Sequence, residues 1–416
     1  MIRITEQKTF RTLYSIAWGT LPFIDVFPIC IYALLLLGTG LMIRKKLTFG
    51  KEGWLIGLFI SAYLLQVFGY IVYPTHLNAF ALEQKASFAL LPILVVSMLR
   101  YDEQAGTFGI KALIAGNILA MLFCLIMAFV RFSHTHAASH FFYHQLSSAV
   151  NANAVYSSLF VAVGLLYLLE YYAKGLIRMP RWAFLSSTSF LLLSLFLLSS
   201  KMIIVVALLL AIILIARLQQ KGIALALTGI IVAAFALTTY TQNPVKERFL
   251  NLNIADAKNV WTEKNFANYP FDDITIRVLL FRLGWEITNK QSWLLGNGGK
   301  AYHISLNDKM RQYHLFEGNE ITGDTGYINY DMHNQYAEFF FQYGLIGLLI
   351  LICKLVNSLW RSVVAGRKMT GLITSLFAFS FLSESVLETQ AGIVLFTLCF
   401  VYEWISTKLI KSSQHP

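Results

Sequence analysis

Residues 331–347 read DMHNQYAEFFFQYGLIG, and the organisation of the chain turns on them. Before them lies a hydrophilic stretch, 241–335, and after them an apolar run extends from 336 to 360. About 20 apolar residues in a helix cross the roughly 30 Å of bilayer hydrocarbon. Lipid leaves such a segment no other way to satisfy its backbone. The junction also carries His333 and Asn334 side by side and, after nine intervening residues, Gly344 and Gly347. A helix starting here aims free N–H groups and its positive dipole end at whatever lies in front, which favours an anion. Read alone, Asn334 is a helix cap, His333 an interfacial histidine, and the glycines a pair that lets a neighbouring helix approach closely.

Apolar runs of the same kind recur along the chain. Of its 416 residues, 57% are apolar and 13% charged, with a mean hydropathy of +0.60. Ordinary soluble domains lie outside that range. The expected fold is an all-α polytopic membrane protein with about twelve transmembrane helices, near 10–26, 27–43, 54–73, 86–99, 107–130, 153–173, 182–200, 202–216, 222–240, 336–360, 369–386 and 390–407. Eleven is the alternative count, because Pro22, Asp25 and Pro28 split one stretch into the first two spans and the fourth is short. With the N-terminus inside, the inner flanks hold 19 Lys and Arg, and the short outer segments hold only Lys85, Arg131 and Lys201. This bias makes both termini cytoplasmic. The formal charge of +11 then reports topology rather than a nucleic-acid partner.

Three regions follow: 1–240 with spans one to nine, 241–335 as one large periplasmic loop domain, and 336–416 with spans ten to twelve and a cytoplasmic C-terminus. The loop is nearly neutral, with ten Lys and Arg against eleven Asp and Glu. Trp261, Phe266, Tyr269, Phe271, Trp285 and Trp293 give it apolar surface to bury, so a folded cap is expected. Cys30, Cys124, Cys353 and Cys399 all fall in apolar runs, and no Cys-x-x-Cys or Cys/His cluster points to a disulfide or a metal. The first helix carries no cleavage site and reads as retained. No internal repeat favours a paired-halves transporter.

Several charged residues sit where apolar neighbours make them costly. ITIRVLLFRLGWEI (274–287) places Arg277 and Arg282 five residues apart, about 140° around a helix, so only one faces a given pocket. An arginine there needs a phosphate-like anion or an ion pair with Asp272, Asp273 or Glu286. LLSSKMIIVV (197–206) holds Lys201 between apolar runs, a cation that either snorkels or meets an anion. In SESVLETQAG (383–392), Glu384 and Glu388 are spaced one helical turn apart at the membrane edge, as functional groups or as partners for Lys201 and the loop arginines. His136, His140 and His144 form a four-residue stripe from which zinc ligands could be built, although no acidic or thiol ligand accompanies it.

His333, Asn334, Gly344 and Gly347 at this spacing resemble the signature of the O-antigen ligase and polymerase superfamily of bacterial inner-membrane proteins. LEQKASFALLP (82–92), SSK (199–201), TIR (275–277), GNGG (296–299) and SESVLETQAG follow in that family's order. Lys201 stands where an arginine is usual, and GNGG replaces a Gly-x-Gly turn. The resemblance implies a metal-independent, cofactor-free transfer of a glycan from undecaprenyl diphosphate to a sugar hydroxyl of lipid A-core, at the periplasmic face of the inner membrane. In that chemistry Lys201 and Arg277 bind the departing diphosphate and His333 is the catalytic base. Asn334, Arg282, Glu384 and Glu388 support them, and the partners are the two lipid substrates and the surrounding lipids. The alternatives are an O-antigen polymerase that extends a lipid-linked glycan and, from a different class, a polysaccharide or lipid transporter.

Overall fold

A computed structural model describes residues 2–47, 53–72, 79–240, 245–246, 257–267, 269–288, 292–319 and 326–412. The architecture is all-helical. In chain order the helices are α1 (Ile2–Thr20), α2 (Phe27–Arg44), α3 (Gly53–Val72), α4 (Ala79–Tyr101), α5 (Gln104–Thr135), the short α6 (Tyr143–Ser147), α7 (Ala154–Ala173), α8 (Arg181–Leu198), α9 (Lys201–Ile215) and α10 (Lys221–Tyr240). The loop region supplies α11 (Ala257–Thr262), α12 (Thr275–Ile287), α13 (Ser292–Leu295) and α14 (Gly299–Gln312). The chain returns through α15 (Gln335–Val364), α16 (Lys368–Ser380) and α17 (Gln390–Ser412).

A helix covers each of the twelve expected stretches, but among the described residues seven are long and apolar enough to cross a membrane: α2, α3, α4, α5, α7, α8 and α15. Apolar segments of α9, α10 and α17 are shorter, while α1, with 19 residues, is less apolar and α16 has 13 residues. The expected break at Pro22 is present, since the chain turns after Thr20 and α2 restarts at Phe27 with Pro28 in its first turn. The first helix starts earlier than expected, and along it Arg11 holds Asp102 at 2.8 Å.

Two hydrophobic cores exist. The larger joins the bundle around α7, whose seventeen buried residues of twenty mark it as enclosed by protein, whereas α2 buries only four residues of eighteen and lies at the periphery. The smaller is built by α11, α12, α14 and the approach to α15, from Val260 to Phe341. The loop aromatics divide: Phe266 is buried and Tyr269 and Phe271 pack partly, but Trp261, Trp285 and Trp293 are about half exposed, at 47%, 52% and 50%.

One feature of α15 fixes how the smaller core meets the bundle. Gly344 has φ +66°, which breaks the helical hydrogen-bond ladder. The carbonyls of Phe341 and Gln342 instead accept from the N–H groups of Asn297 and Gly298, at 3.1 and 3.0 Å. A Cβ on Gly344 would lie 2.3 Å from the Leu294 carbonyl, and one on Gly296 would lie 2.2 Å from that of Gln342. Gly344 therefore admits the GNGG turn of the loop, whereas a Cβ on Gly347 would meet Tyr343 and the Phe339 carbonyl of its own helix; neither faces a neighbouring membrane helix.

Candidate functional site

The break between α8 and α9 places the first cation. Ser199 ends α8 in the left-handed region, Ser200 is extended, and Lys201 opens α9. Its Nζ lies 2.8 Å from Asp273 Oδ2. Asp272 caps α12, with its Oδ1 accepting from the N–H groups of Ile274 and Thr275 at 2.9 and 2.7 Å. That cap sets Arg277 in the first turn, where its guanidinium donates to the carbonyls of Asp273 and Ser383. The Nε of Arg277 is buried with no hydrogen-bond partner among the described residues.

His333 is held in the left-handed region, φ +45°, a strained conformation for a branched ring side chain. Asp331 Oδ1 accepts from the His333 backbone N–H at 2.8 Å and stabilises the turn. Glu384 Oε1 lies 3.2 Å from His333 Nδ1, and Tyr330 packs edge-on against the ring. With Nδ1 engaged, Nε2 is the nitrogen left for a substrate. Burial pulls the imidazole's proton affinity down, yet the hydrogen bond that Nδ1–H donates to Glu384 and the charge of Asp331 hold it above the ordinary 6.5. Burial, opposed by the imidazole and reinforced by Glu338 and Glu384, pushes the Asp331 carboxyl up to about 7.

Lys201, Arg277, His333 and Glu384 line one cavity of about 580 Å³ between the loop domain and the bundle, with Ser200, Asp273, Tyr330 and His144. Four of the expected residues thus meet. Asn334 caps α15, accepting from Tyr336 and Ala337 at 3.0 Å, and lines a smaller adjoining cavity of about 220 Å³ with Arg277, Trp261 and Phe281. Its contacts are to the helix start and the Leu382 carbonyl rather than to the imidazole.

Two expected residues lie elsewhere. Arg282 turns into the loop core, bonded to Glu286 and to the carbonyls of Val260 and Glu263 beneath the Tyr313 ring, because five residues of helix rotate it away from Arg277. Glu384 and Glu388 do not share a helix face, since a turn with a single 3₁₀ segment, Val386–Glu388, follows α16. Glu388 points into a second cluster. The histidine stripe is also broken: α5 ends at Thr135, His136 is left-handed, His140 lies in the 3₁₀ segment Ala138–Phe141, and His144 is in α6. His140 bonds Thr135 and His144 accepts from the Ala154 N–H, so the three do not present one face.

The second cluster was not anticipated. Lys85 of α4 lies 3.0 Å from both oxygens of Glu388 and 2.9 Å from the Tyr343 hydroxyl. His303 of α14 sits 3.2 Å from Glu338 and 3.8 Å from Glu388. Glu338 is fully buried and also accepts from the Met332 N–H at 2.8 Å. Burial opposes a charge on His303, but Glu338 and Glu388 raise its affinity for a proton to about 10. Burial likewise disfavours the Glu388 anion, and Lys85 and His303 overcome it, holding the carboxyl down to about 2.

Among the described residues, two groups of ligand atoms lie close enough together to hold a cation: His303, Glu338 and Glu388, and Asp331, His333 and Glu384. In the first, the Lys85 ammonium and the protonated His303 already balance the two carboxylates. Only Asp331 carried a local signal, two residues before His333 in DMHN. Lys85 read as a charge in an outer flank, and nothing in the local pattern around His303 marked it.

Residues 186–352 match the O-antigen ligase family model. The match spans Lys201, Arg277, His333, Asn334, Gly344 and Gly347, and it supports the superfamily to which the His-Asn and Gly-x-x-Gly spacing pointed. No curated relative matches the chain. The matched segment contains both cations and the histidine of the larger cavity, while Glu384 reaches it from beyond the matched residues. Together with the seven helices that, among the described residues, are long and apolar enough to cross a membrane, the match points to a membrane protein.

Proposed function

We propose that the chain is an O-antigen ligase type glycosyltransferase that moves a glycan from undecaprenyl diphosphate to a sugar hydroxyl of lipid A-core, at the periplasmic face of the inner membrane. The observation that carries this reading is the convergence of Lys201, Arg277 and His333 on one cavity of about 580 Å³. As the glycosidic bond breaks, negative charge gathers on the diphosphate, and cations already fixed nearby stabilise it without rearranging. Lys201 is held by Asp273 and Arg277 by two carbonyls, so both are positioned before substrate arrives. Arg277 keeps an unused Nε–H for a phosphate oxygen.

His333 takes the proton of the attacking hydroxyl through Nε2. Glu384, bonded to Nδ1, fixes the ring and stabilises the imidazolium that forms. The transfer balances: the acceptor oxygen bonds to the anomeric carbon, the bond to phosphate breaks, and lipid diphosphate leaves with the electron pair. Asn334 acts through the helix start that it caps, and no step requires a bound metal.

Purified full-length protein incubated with undecaprenyl-diphosphate glycan and either lipid A-core or a second lipid-linked glycan tests this. Growth of the lipid A-core band is the expected result. Growth of the lipid-linked chain alone would make the protein a polymerase, and turnover of neither would remove the transferase reading.

A further inference from the structure

A patch of large apolar side chains lies on the surface of the loop domain. On α12, Leu279, Leu280 and Leu283 face the smaller core, and the opposite side presents Val278, Phe281 and Trp285 at helical spacing. Phe281 is 43% exposed and Trp285 about half exposed. The Trp285 ring lies nearly parallel to that of Phe340 with centres 6.5 Å apart, and Trp293 of α13 meets Phe340 edge-on at 6.2 Å. Leu294 and Leu295 follow Trp293 at 52% and 46% exposure. None of these side chains carries a charge. Contiguous apolar surface of this kind marks a contact with lipid or with protein.

The height of this patch is set by α15. Its 30 residues make about 45 Å of helix, more than the roughly 30 Å of bilayer hydrocarbon. Beyond Gly344, Leu349, Val356, Trp360 and Val363 form one outward apolar stripe. Arg361, Arg367 and Lys368 gather at its far end, where tryptophan and arginine mark a headgroup boundary. About 20 residues back from Arg361, the other edge of the hydrocarbon falls near Phe341. The α13 turn is seated at that level. The N–H groups of Asn297 and Gly298 reach the carbonyls of Phe341 and Gln342, and the Leu294 carbonyl lies against Gly344.

We propose that the patch is an interfacial anchor: α13 and the outer side of α12 sit in the boundary layer of the bilayer and hold the loop domain down on the lipid surface. Lipid is the occupant because the patch continues the lipid-facing side of the protein at the edge of the hydrocarbon, where α13 packs on α15. Tryptophan and leucine suit that layer, since their apolar bodies enter the acyl boundary while the indole N–H stays wet. With no charge in the patch, burial of apolar area drives the contact and no acidic lipid is needed. Arg277 lies two turns before Trp285 on α12, so the anchor also sets the height of that cation over the membrane.

The test uses the full-length protein with its four cysteines replaced by alanine, in phosphatidylcholine nanodiscs, and a nitroxide spin label attached through Leu294→Cys. Val356→Cys on the lipid-facing stripe and Asp308→Cys on the exposed side of α14 calibrate hydrocarbon and water. The label at position 294 should collide with membrane-soluble oxygen several-fold more often than with an aqueous nickel chelate, as at 356 and unlike at 308. A preference for the chelate overturns the proposal. Protection from both reagents would show that a second copy or another protein covers the patch, and overturns the lipid assignment. If the cysteine-free protein fails to fold, the emission lost in Trp293→Phe decides instead. Phosphatidylcholine brominated near the headgroup end of its acyl chains should quench that emission, and absence of quenching counts against the anchor. Neither readout involves glycan transfer, so failure here leaves the proposed reaction standing.

Discussion

Two clusters in this protein use the same ingredients. Around His333, one imidazole meets the carboxylates of Asp331 and Glu384, with Lys201 and Arg277 close by; around His303, one imidazole meets Glu338 and Glu388, with Lys85 between them. They differ in what they face. The first lines a cavity, and its cations are tied to Asp273 and to backbone carbonyls, leaving capacity for an incoming anion. The second is closed, its two positive groups matched against two negative ones. Similar side chains thus line an open cavity where space is left and form a clamp where it is not, and the clamp joins α14 to α4, α15 and the turn before α17.

That contrast can be broken most sharply at the two histidines. His333→Ala should cost transfer about 10²- to 10⁴-fold with the melting temperature nearly unchanged, as expected for a lost general base. Full activity in this variant, measured as glycan moved per unit of protein, would strip the first cluster of its role. Lys201→Ala and Arg277→Ala come next, each slowing transfer by about 10²-fold, the scale of losing one fixed charge-stabilising donor. Lys201→Arg should retain most of the rate.

The clamp responds in stability instead. Lys85 and Glu388 have side chains 6% and 12% exposed, so removing one partner strands the other. Lys85→Met should destabilise the protein by about 3–5 kcal/mol. Denaturation of both proteins in the same detergent measures this, and an unchanged midpoint would show that the pair is not closed.

Smaller effects separate the clusters by pH. The proton on His303 stabilises the fold fully below about 6.5 and is lost as pH rises through about 10, while the Glu388 anion stabilises it above about 4.5 and is lost as pH falls through about 2. Stability from the clamp is therefore complete between about 4.5 and 6.5 and declines on the alkaline side. His303→Gln should flatten that alkaline decline in a melting series. In the cavity, a base must be unprotonated to act, so transfer should rise with pH along a limb above 6.5, since His333 is held above that value. Glu384→Gln keeps a hydrogen-bonding group but removes the charge, and the limb should move toward lower pH.

Much was legible from local pattern. Hydropathy located helices in all twelve stretches, and the Pro22 break appears where the sequence placed it. His333, Lys201 and Arg277 stood out because a charge at the edge of an apolar run is costly wherever the chain goes. Two of the errors share one origin. The spacing of Glu384 and Glu388 implied a shared face only on the assumption of an unbroken helix, and a turn sends them to different clusters. The stripe of His136, His140 and His144 failed for the same reason.

The sequence by itself determined that the chain is helical and built for lipid, and which charged residues it sets at the ends of apolar runs. Those properties follow from the burial cost of each segment and need no knowledge of its neighbours. Tertiary structure alone decided which charges are spent on one another. Lys85 meets Glu388 across 303 residues and Lys201 meets Asp273 across 72. The kink at Gly344 that seats the loop exists only because the GNGG turn arrives to take the carbonyls it frees. Pairings of this kind depend on helix packing, which adds interaction energies between segments remote in the chain and leaves no periodic trace within either.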